Sequence, residues 1–406
     1  MTITANERLS SLVETLQVLY PESDVELSKR IPNSQPGLRL APSQSAPRLA
    51  VPAHSRRAAQ LAVLRPCASD TFVHTLRRNA LGIILRNPLG ALAMPAGVHI
   101  NRTANSIEAK LEQIFDQPVL IALMTGSPRA NRKPVLSIFD QSGAELGFAK
   151  VGLGELAGTL VENEYFALNS MAQTGSKTMT IPRVIAFEKF DEHPLLVISA
   201  LRPDVRQKPL TLPVPAAESV LHSTAVVDRR IAGSRWAEKI VEDLASVTIP
   251  EARRIEGFLR QLSSRFAEVP VRFGGVHGDF GAWNMARSST VPMIWDWERY
   301  SGDCPGGVDL YHFALHTKLR SKLSAEAAYK LFDSPALRAG ILRLQGHSAH
   351  HESQLSLLPL MYLITIATRF VADGFHHQVP PTLTLGVRHL ELAEALMALT
   401  IERLRS

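Results

Sequence analysis

The spacing of apolar positions changes period twice along the chain. Apolar residues recur every three or four positions over residues 7–20, which predicts an amphipathic helix. "GLRLAPSQSAPRLAVPA" predicts two short strands around a Ser/Pro turn, and "SRRAAQLAVLR" and "DTFVHTLRRNALGIILR" predict arginine-rich helices. "NPLGALAMPAGV" is rich in Pro and Gly and closes this part, and "SIEAKLEQIF" opens the next. From about residue 118 the period becomes two. "PVLIALMTG", "KPVLSIFDQSG" and "ELGFAKVG" predict three successive antiparallel strands, with "DQSG" as a hairpin turn. A helix follows in "TLVENEYFALNSMAQ", then two more strands in "IPRVIAF" and "PLLVISALRP". Beyond Pro203 the helical period returns, through "STAVVDRRIAGSRWAEKIVEDLASV" and "EARRIEGFLRQLSSRFAE" to the C-terminus.

The expected class is therefore α+β. Residues 1–115 form an N-terminal α/β segment, 116–203 a small lobe with a five-stranded antiparallel sheet, and 204–406 a large helical lobe.

Two stretches interrupt the helical lobe and carry candidate chemistry. "HGDFGAWNM" places Asp279 and Asn284 five positions apart, and "WDWE" places Asp296 between tryptophans. A carboxylate such as Asp279 can accept a proton from a hydroxyl nucleophile. Asn284 and Asp296 can give one neutral and one charged oxygen to Mg2+, which needs few carboxylates when phosphate oxygens and water complete its shell. A polar turn between buried strands uses the same residue types. Against that bland alternative, D-x-x-x-x-N is the spacing of a kinase catalytic loop.

Phosphoryl transfer also calls for a cation on the donor phosphates. The third strand of the small lobe ends in "GFAKVG", with Lys150 flanked by apolar residues. The next helix carries Glu164 where the apolar stripe begins, and Glu162 as a competing partner. A strand lysine paired with a helix glutamate is the second half of the kinase arrangement.

Charge and cysteine usage narrow the function classes. The net charge is +6, and thirteen Lys+Arg against eight Asp+Glu put about +5 of it in residues 1–115. No basic run interleaved with aromatics accompanies it, which argues against a nucleic-acid partner. Cys67 and Cys304 lie far apart, as expected in a reducing compartment. The N-terminus lacks the apolar core of a secretory signal. The two most apolar later stretches contain Arg86 and Pro88, and Pro359 and Arg369, so neither offers ~20 uninterrupted apolar residues for a membrane span. A cytoplasmic protein without membrane or nucleic-acid partners is expected. Histidines in "GHSAHH" and "FHHQ" lack a Cys or Asp at metal-ligand spacing.

Taken together, "GFAKVG…ENEYFAL", "HGDFGAWNM" and "VPMIWDWERYSGDCPGGVDLYHF" resemble the aminoglycoside phosphotransferase and choline kinase group, small-molecule kinases with a protein-kinase-like bilobal fold. The resemblance covers roughly residues 118–400. It implies ATP and Mg2+ as cofactors, Asp279 as catalytic base, Asn284 and Asp296 as metal ligands, and Lys150 oriented by Glu164 on the nucleotide phosphates. It further implies that His277 braces the catalytic loop and that Asp309 anchors it from below. The turn "TGSPRANRKP" departs from the pattern, with one glycine instead of several. Gly126 and Ser127 would offer backbone N–H groups there, with Arg129, Arg132 and Lys133 adding charge.

Only thirteen positions lead from Asp296 to Asp309, which leaves little room for a long segment on which a peptide could lie. A small acceptor is expected: a sugar, a glycan precursor, an aminoglycoside or an amino alcohol. Residues 311–406 carry ten Lys+Arg against seven Asp+Glu, which disfavours a polycation. The alternative is a catalytically silent nucleotide-binding scaffold, which would be expected to lack one of these groups.

Overall fold

The computed structural model describes residues 5–32, 37–65, 72–87, 94–124, 133–202, 211–287, 291–319, 323–346 and 348–405. The chain divides into two compact units, Met1–Tyr165 with Pro182–Leu201, and Phe166–Ile181 with Arg202–Ser406.

The first unit begins with α1 (Ala5–Leu19), β1 (Glu26–Ser28), β2 (Leu38–Ala41) and β3 (Leu49–Pro52). Next come α2 (Arg56–Leu64), α3 (Phe72–Arg86), β4 (Gly97–His99) and α4 (Ile107–Phe115). Then follow β5 (Val119–Met124), β6 (Val135–Asp140), β7 (Glu145–Val151), the N-terminal half of α5 (Glu155–Thr174), β8 (Val184–Phe190) and β9 (His193–Ser199). Serines start two of the helices. Ser55 accepts the N–H of Ala58 ahead of α2, and Ser106 that of Ala109 ahead of α4.

The expected five-stranded sheet is one half of a larger one. All nine strands form a single antiparallel sheet in the order β1-β4-β2-β3-β5-β6-β7-β9-β8. The join is β3 against β5, with Leu49 opposite Met124 and Ala50 opposite Leu123. The reason lies in β5, "VLIALM", which is apolar at every position and would make a poor edge strand. Both of its faces are covered. Leu12 and Leu16 of α1 and Ile107 and Leu111 of α4 share a core with Val119, Ile121 and Leu123. Ala58, Ala59 and Ala62 of α2 share the other with Leu120, Ala122 and Phe139. Each fully buried Leu, Val or Phe stabilises the unit by about 1.5–3 kcal/mol, and helices from the first 115 residues supply many of them on both faces of β5. The expected turn at "DQSG" is present. Gly143 takes φ +76°, and Asp140 accepts from Ser142 Oγ and from the N–H of Ala144 at 2.7 and 2.8 Å.

The second unit contains α6 (Val214–Leu221), β10 (Val227–Arg229), α7 (Arg235–Leu244), α8 (Pro250–Arg265) and β11 (Val271–Val276). After them come β12 (Met285–Arg287), β13 (Pro292–Ile294), β14 (Ser301–Pro305) and α9 (Val308–Leu319). It ends with α10 (Ala325–Phe332), α11 (Pro335–Gln345), α12 (His351–His376) and α13 (Pro380–Arg405). The helix expected across 223–247 is a correction, because its first part is β10. Val226 and Val227 favour a strand, and the N-cap comes only at Ser234, whose Oγ accepts the N–H of Ala237 at 3.2 Å. β10, β11 and β14 form a three-stranded antiparallel sheet, and β12 and β13 a hairpin.

α12 runs unbroken through Pro359 and Arg369. By length and composition it could cross a membrane, but 72% of its apolar stretch is buried inside the structure. Its close neighbour is α13: a Cβ on Gly374 would lie 2.5 Å from the Leu383 nitrogen.

Candidate active site

In the second unit, β11 is buried along its length except at Arg272, and it delivers His277 and Gly278 to the side chain of Asp309 at the start of α9. Asp309 Oδ2 accepts the His277 N–H at 2.8 Å and Oδ1 accepts the Gly278 N–H at 3.0 Å. Burial pushes the Asp309 carboxyl up to about 7, against the pull of these two N–H groups. The His277 ring donates from Nε2 to the Trp295 carbonyl at 3.1 Å and accepts the Asp279 N–H on Nδ1 at 3.2 Å. That pattern requires a neutral ring. Burial agrees with it, bringing His277 down to about 4 although Asp279 pulls the other way.

Gly278 has φ +78°, and a Cβ there would stand 2.2 Å from the Arg299 carbonyl oxygen, so only glycine fits. Arg369 of α12 donates to the Gly278 carbonyl at 2.6 Å.

Asp279 is held by three donors. Oδ1 faces His312 Nε2 at 3.0 Å, and Oδ2 accepts from Asn284 Nδ2 at 2.8 Å and Trp283 Nε1 at 3.2 Å. Burial works to raise its pKa, but His312, Arg369 and Trp283 outweigh it and hold the carboxyl far below the usual carboxylate range. Asn284 sits in a 3-10 turn, and its Nδ2 also donates to the Asp279 carbonyl at 3.0 Å. The β12–β13 hairpin then reverses the chain, and the Trp295 N–H returns to the Asn284 carbonyl at 3.1 Å. Asp296 therefore follows directly beside Asn284. It adopts the left-handed conformation at φ +67°, a costly one for a residue with a Cβ and one that concentrates at functional sites.

In the first unit, Lys150 on β7 reaches Glu164 on α5. Its Nζ lies 2.8 Å from Oε1 and 2.6 Å from Oε2, with Lys150 7% and Glu164 0% exposed. Glu162, the competing partner, is exposed. Gly126 and Ser127, expected at the phosphates, lie outside the described residues, as do Arg129 and Arg132.

The sequence-based expectation gives His312, Trp283 and Arg369 no bond to the loop. His312 is three positions after Asp309 on α9, so one helix face carries both the group that fixes the loop backbone and the group that fixes Asp279. A polar residue at that spacing was a usable signal. Arg369, a lone cation in an apolar helix, was another.

No family model matches the chain, and no curated protein does. Solved structures similar to it include a putative fructosamine-3-kinase from Haemophilus somnus, at 12% identity and TM-score 0.43, covering 70% of this chain and 96% of that one. An aminoglycoside phosphotransferase is similar at 13% identity and TM-score 0.47, with 72% and 99% covered. A choline/ethanolamine kinase family protein from Mesorhizobium loti is similar at 15% identity and TM-score 0.44, with 68% and 87% covered.

Proposed function

We propose that this chain has a protein-kinase-like fold and moves the terminal phosphoryl group of ATP, with Mg2+, to a hydroxyl of a small molecule. The observation that carries the reading is the side chain of Asn284. Its nitrogen is committed to Asp279, at 2.8 Å to the carboxylate and 3.0 Å to the carbonyl, so the amide oxygen is the atom offered to a ligand. Asp296 stands beside it at the open end of the hairpin. One amide oxygen and one carboxylate suit Mg2+, which takes its other ligands from phosphate and water. When bound, that ion would neutralise charge on the phosphates.

The chain's own groups have separable tasks. Lys150, oriented by Glu164, would meet the donor phosphates. Asp309 and His277 hold the loop backbone. Asp279 would orient the acceptor hydroxyl and take its proton. A carboxylate so well supplied with donors is a weak base, so its proton would arrive late, when the oxygen already bonds to phosphorus. That suits a loose transition state that depends on positioning.

A small acceptor is favoured by what lies between Asp296 and Asp309. A 3-10 turn (Trp297–Arg299) and β14 (Ser301–Pro305) fill it, and α9 begins at Val308. No long segment on which a peptide could lie is present there.

The test is ADP release by the full chain with ATP, Mg2+ and a panel of sugars, amino alcohols and aminoglycosides. Release that needs both Mg2+ and one acceptor is expected. Release with no member of the panel, or equal release without Mg2+, contradicts the reading.

A further inference from the structure

Either oxygen of Asp279 could in principle meet the acceptor, and the hydrogen bonds distinguish them. A carboxylate oxygen has two lone-pair directions. On Oδ2 both are filled, by Asn284 Nδ2 at 2.8 Å and Trp283 Nε1 at 3.2 Å. On Oδ1 one is filled, by His312 Nε2 at 3.0 Å. We infer that His312 is a positioning residue for phosphoryl transfer: its Nε2–H locks the Asp279 carboxylate so that the second lone pair of Oδ1 faces the acceptor hydroxyl. This rests on the phosphotransferase reading above.

Everything around His312 fixes it in that role. It is 0% exposed. Tyr362 O–H faces Nδ1 at 3.4 Å, and as a donor there it leaves the ring proton on Nε2. His316 stacks on the ring at 4.5 Å between centroids, and Trp283 meets it edge-on at 5.6 Å. The ring cannot turn without disturbing both. Without His312 the donors on Oδ2 would anchor one oxygen only, and Oδ1 would be free to swing about it.

The step balances without further reactants. The acceptor oxygen bonds to the terminal phosphorus, and its O–H bond breaks late in that step. The proton passes to the open lone pair of Oδ1, and the bond to ADP breaks with its electron pair on the ADP oxygen. His312 keeps its Nε2 proton throughout.

The experiment compares parent, His312→Phe, His312→Gln and Asp279→Asn in full-length protein. Turnover of ATP in the presence of Mg2+ is measured with glucose, ethanolamine and an aminoglycoside as acceptors, and with water as the acceptor always present. His312→Phe should lower kcat by about 10²-fold, the scale of a 1 Å misplacement, with the KM for ATP unchanged. His312→Gln can still donate to Oδ1 from its amide and should recover most of the loss. Parent-like kcat in His312→Phe, with Asp279→Asn impaired, overturns the positioning role and leaves the phosphotransferase reading standing. Equal losses in the Phe and Gln variants also overturn it, because the hydrogen bond would then not matter. Parent-like kcat in Asp279→Asn, or a parent without turnover, removes the reading itself and this inference with it. If His312→Phe does not fold, nitrogen NMR of the parent decides. A ring protonated on Nε2, with a proton resonance that moves in Asp279→Asn, supports the lock, and protonation on Nδ1 excludes it.

Discussion

Lys150 places its ammonium between the two carboxylate oxygens of Glu164, at 2.8 and 2.6 Å, inside the first unit. Both side chains are buried, so removing Lys150 leaves the Glu164 carboxylate charged without its ammonium. Lys150→Ala should destabilise that unit by about 3–5 kcal/mol, whereas Lys150→Met with Glu164→Leu should regain most of it. Urea unfolding of the three proteins checks this. The double variant also separates packing from chemistry: it should fold and yet fail to use ATP. A folded double variant with parental kcat and KM for ATP would remove Lys150 from the donor site.

Asp296 offers a cleaner test of the metal ligands than alanine does. At φ +67° its backbone favours glycine, so Asp296→Gly deletes the carboxylate and relieves strain together. The variant should be as stable as the parent, or more so, and lose Mg2+-dependent turnover. Asn284→Ala should lose it too. Titration of Mg2+ against turnover should show both needing more metal, and an unchanged Mg2+ dependence contradicts the assignment.

A pH dependence follows from the buried histidines of the second unit. His389 is 0% exposed, faces the Leu385 carbonyl through Nδ1 at 2.7 Å, and has no hydrogen-bond partner on Nε2 among the described residues. Burial holds it at about 4 against an ordinary 6.5, despite that carbonyl. The unfolded chain therefore binds a proton first as pH falls. The stability from the neutral ring is complete above pH 6.5 and is lost between 6.5 and 4. At pH 5 the loss from His389 alone should be about 2 kcal/mol relative to pH 7.5. Urea midpoints across this range should fall for the parent, and less steeply for His389→Phe.

Much of this was legible in the chain, and the failures have physical causes. Strands β5 to β9 could be read because each is a short apolar run and "DQSG" marks the turn between two of them. Of the strands preceding them, β2 and β3 are the expected pair around the Ser/Pro turn, whereas β1 and β4 have three residues each and pair with segments distant in sequence, which no local pattern records. β5 itself held the clue, since a strand apolar on both faces demands neighbours on both edges. β10 lay hidden in a stretch whose later part is a true helix. The contacts of Asp279 with Asn284 and of Lys150 with Glu164 could be anticipated because each pair lies within a short stretch of chain. His312 and Arg369 act across long sequence separations, and only the packing of α9 and α12 brings them to the loop.

In the proposed reaction the acceptor hydroxyl meets Asp279. The most direct measurement is kcat of Asp279→Asn beside Mg2+-dependent ATP binding by the same protein. Asparagine keeps the size of the side chain and removes the basic site. A fall in kcat of about 10²–10⁴-fold with ATP binding unchanged is expected, because the proposed metal ligands are Asn284 and Asp296. Parental turnover by Asp279→Asn would contradict it, and would leave "HGDFGAWN" as a well-bonded polar turn.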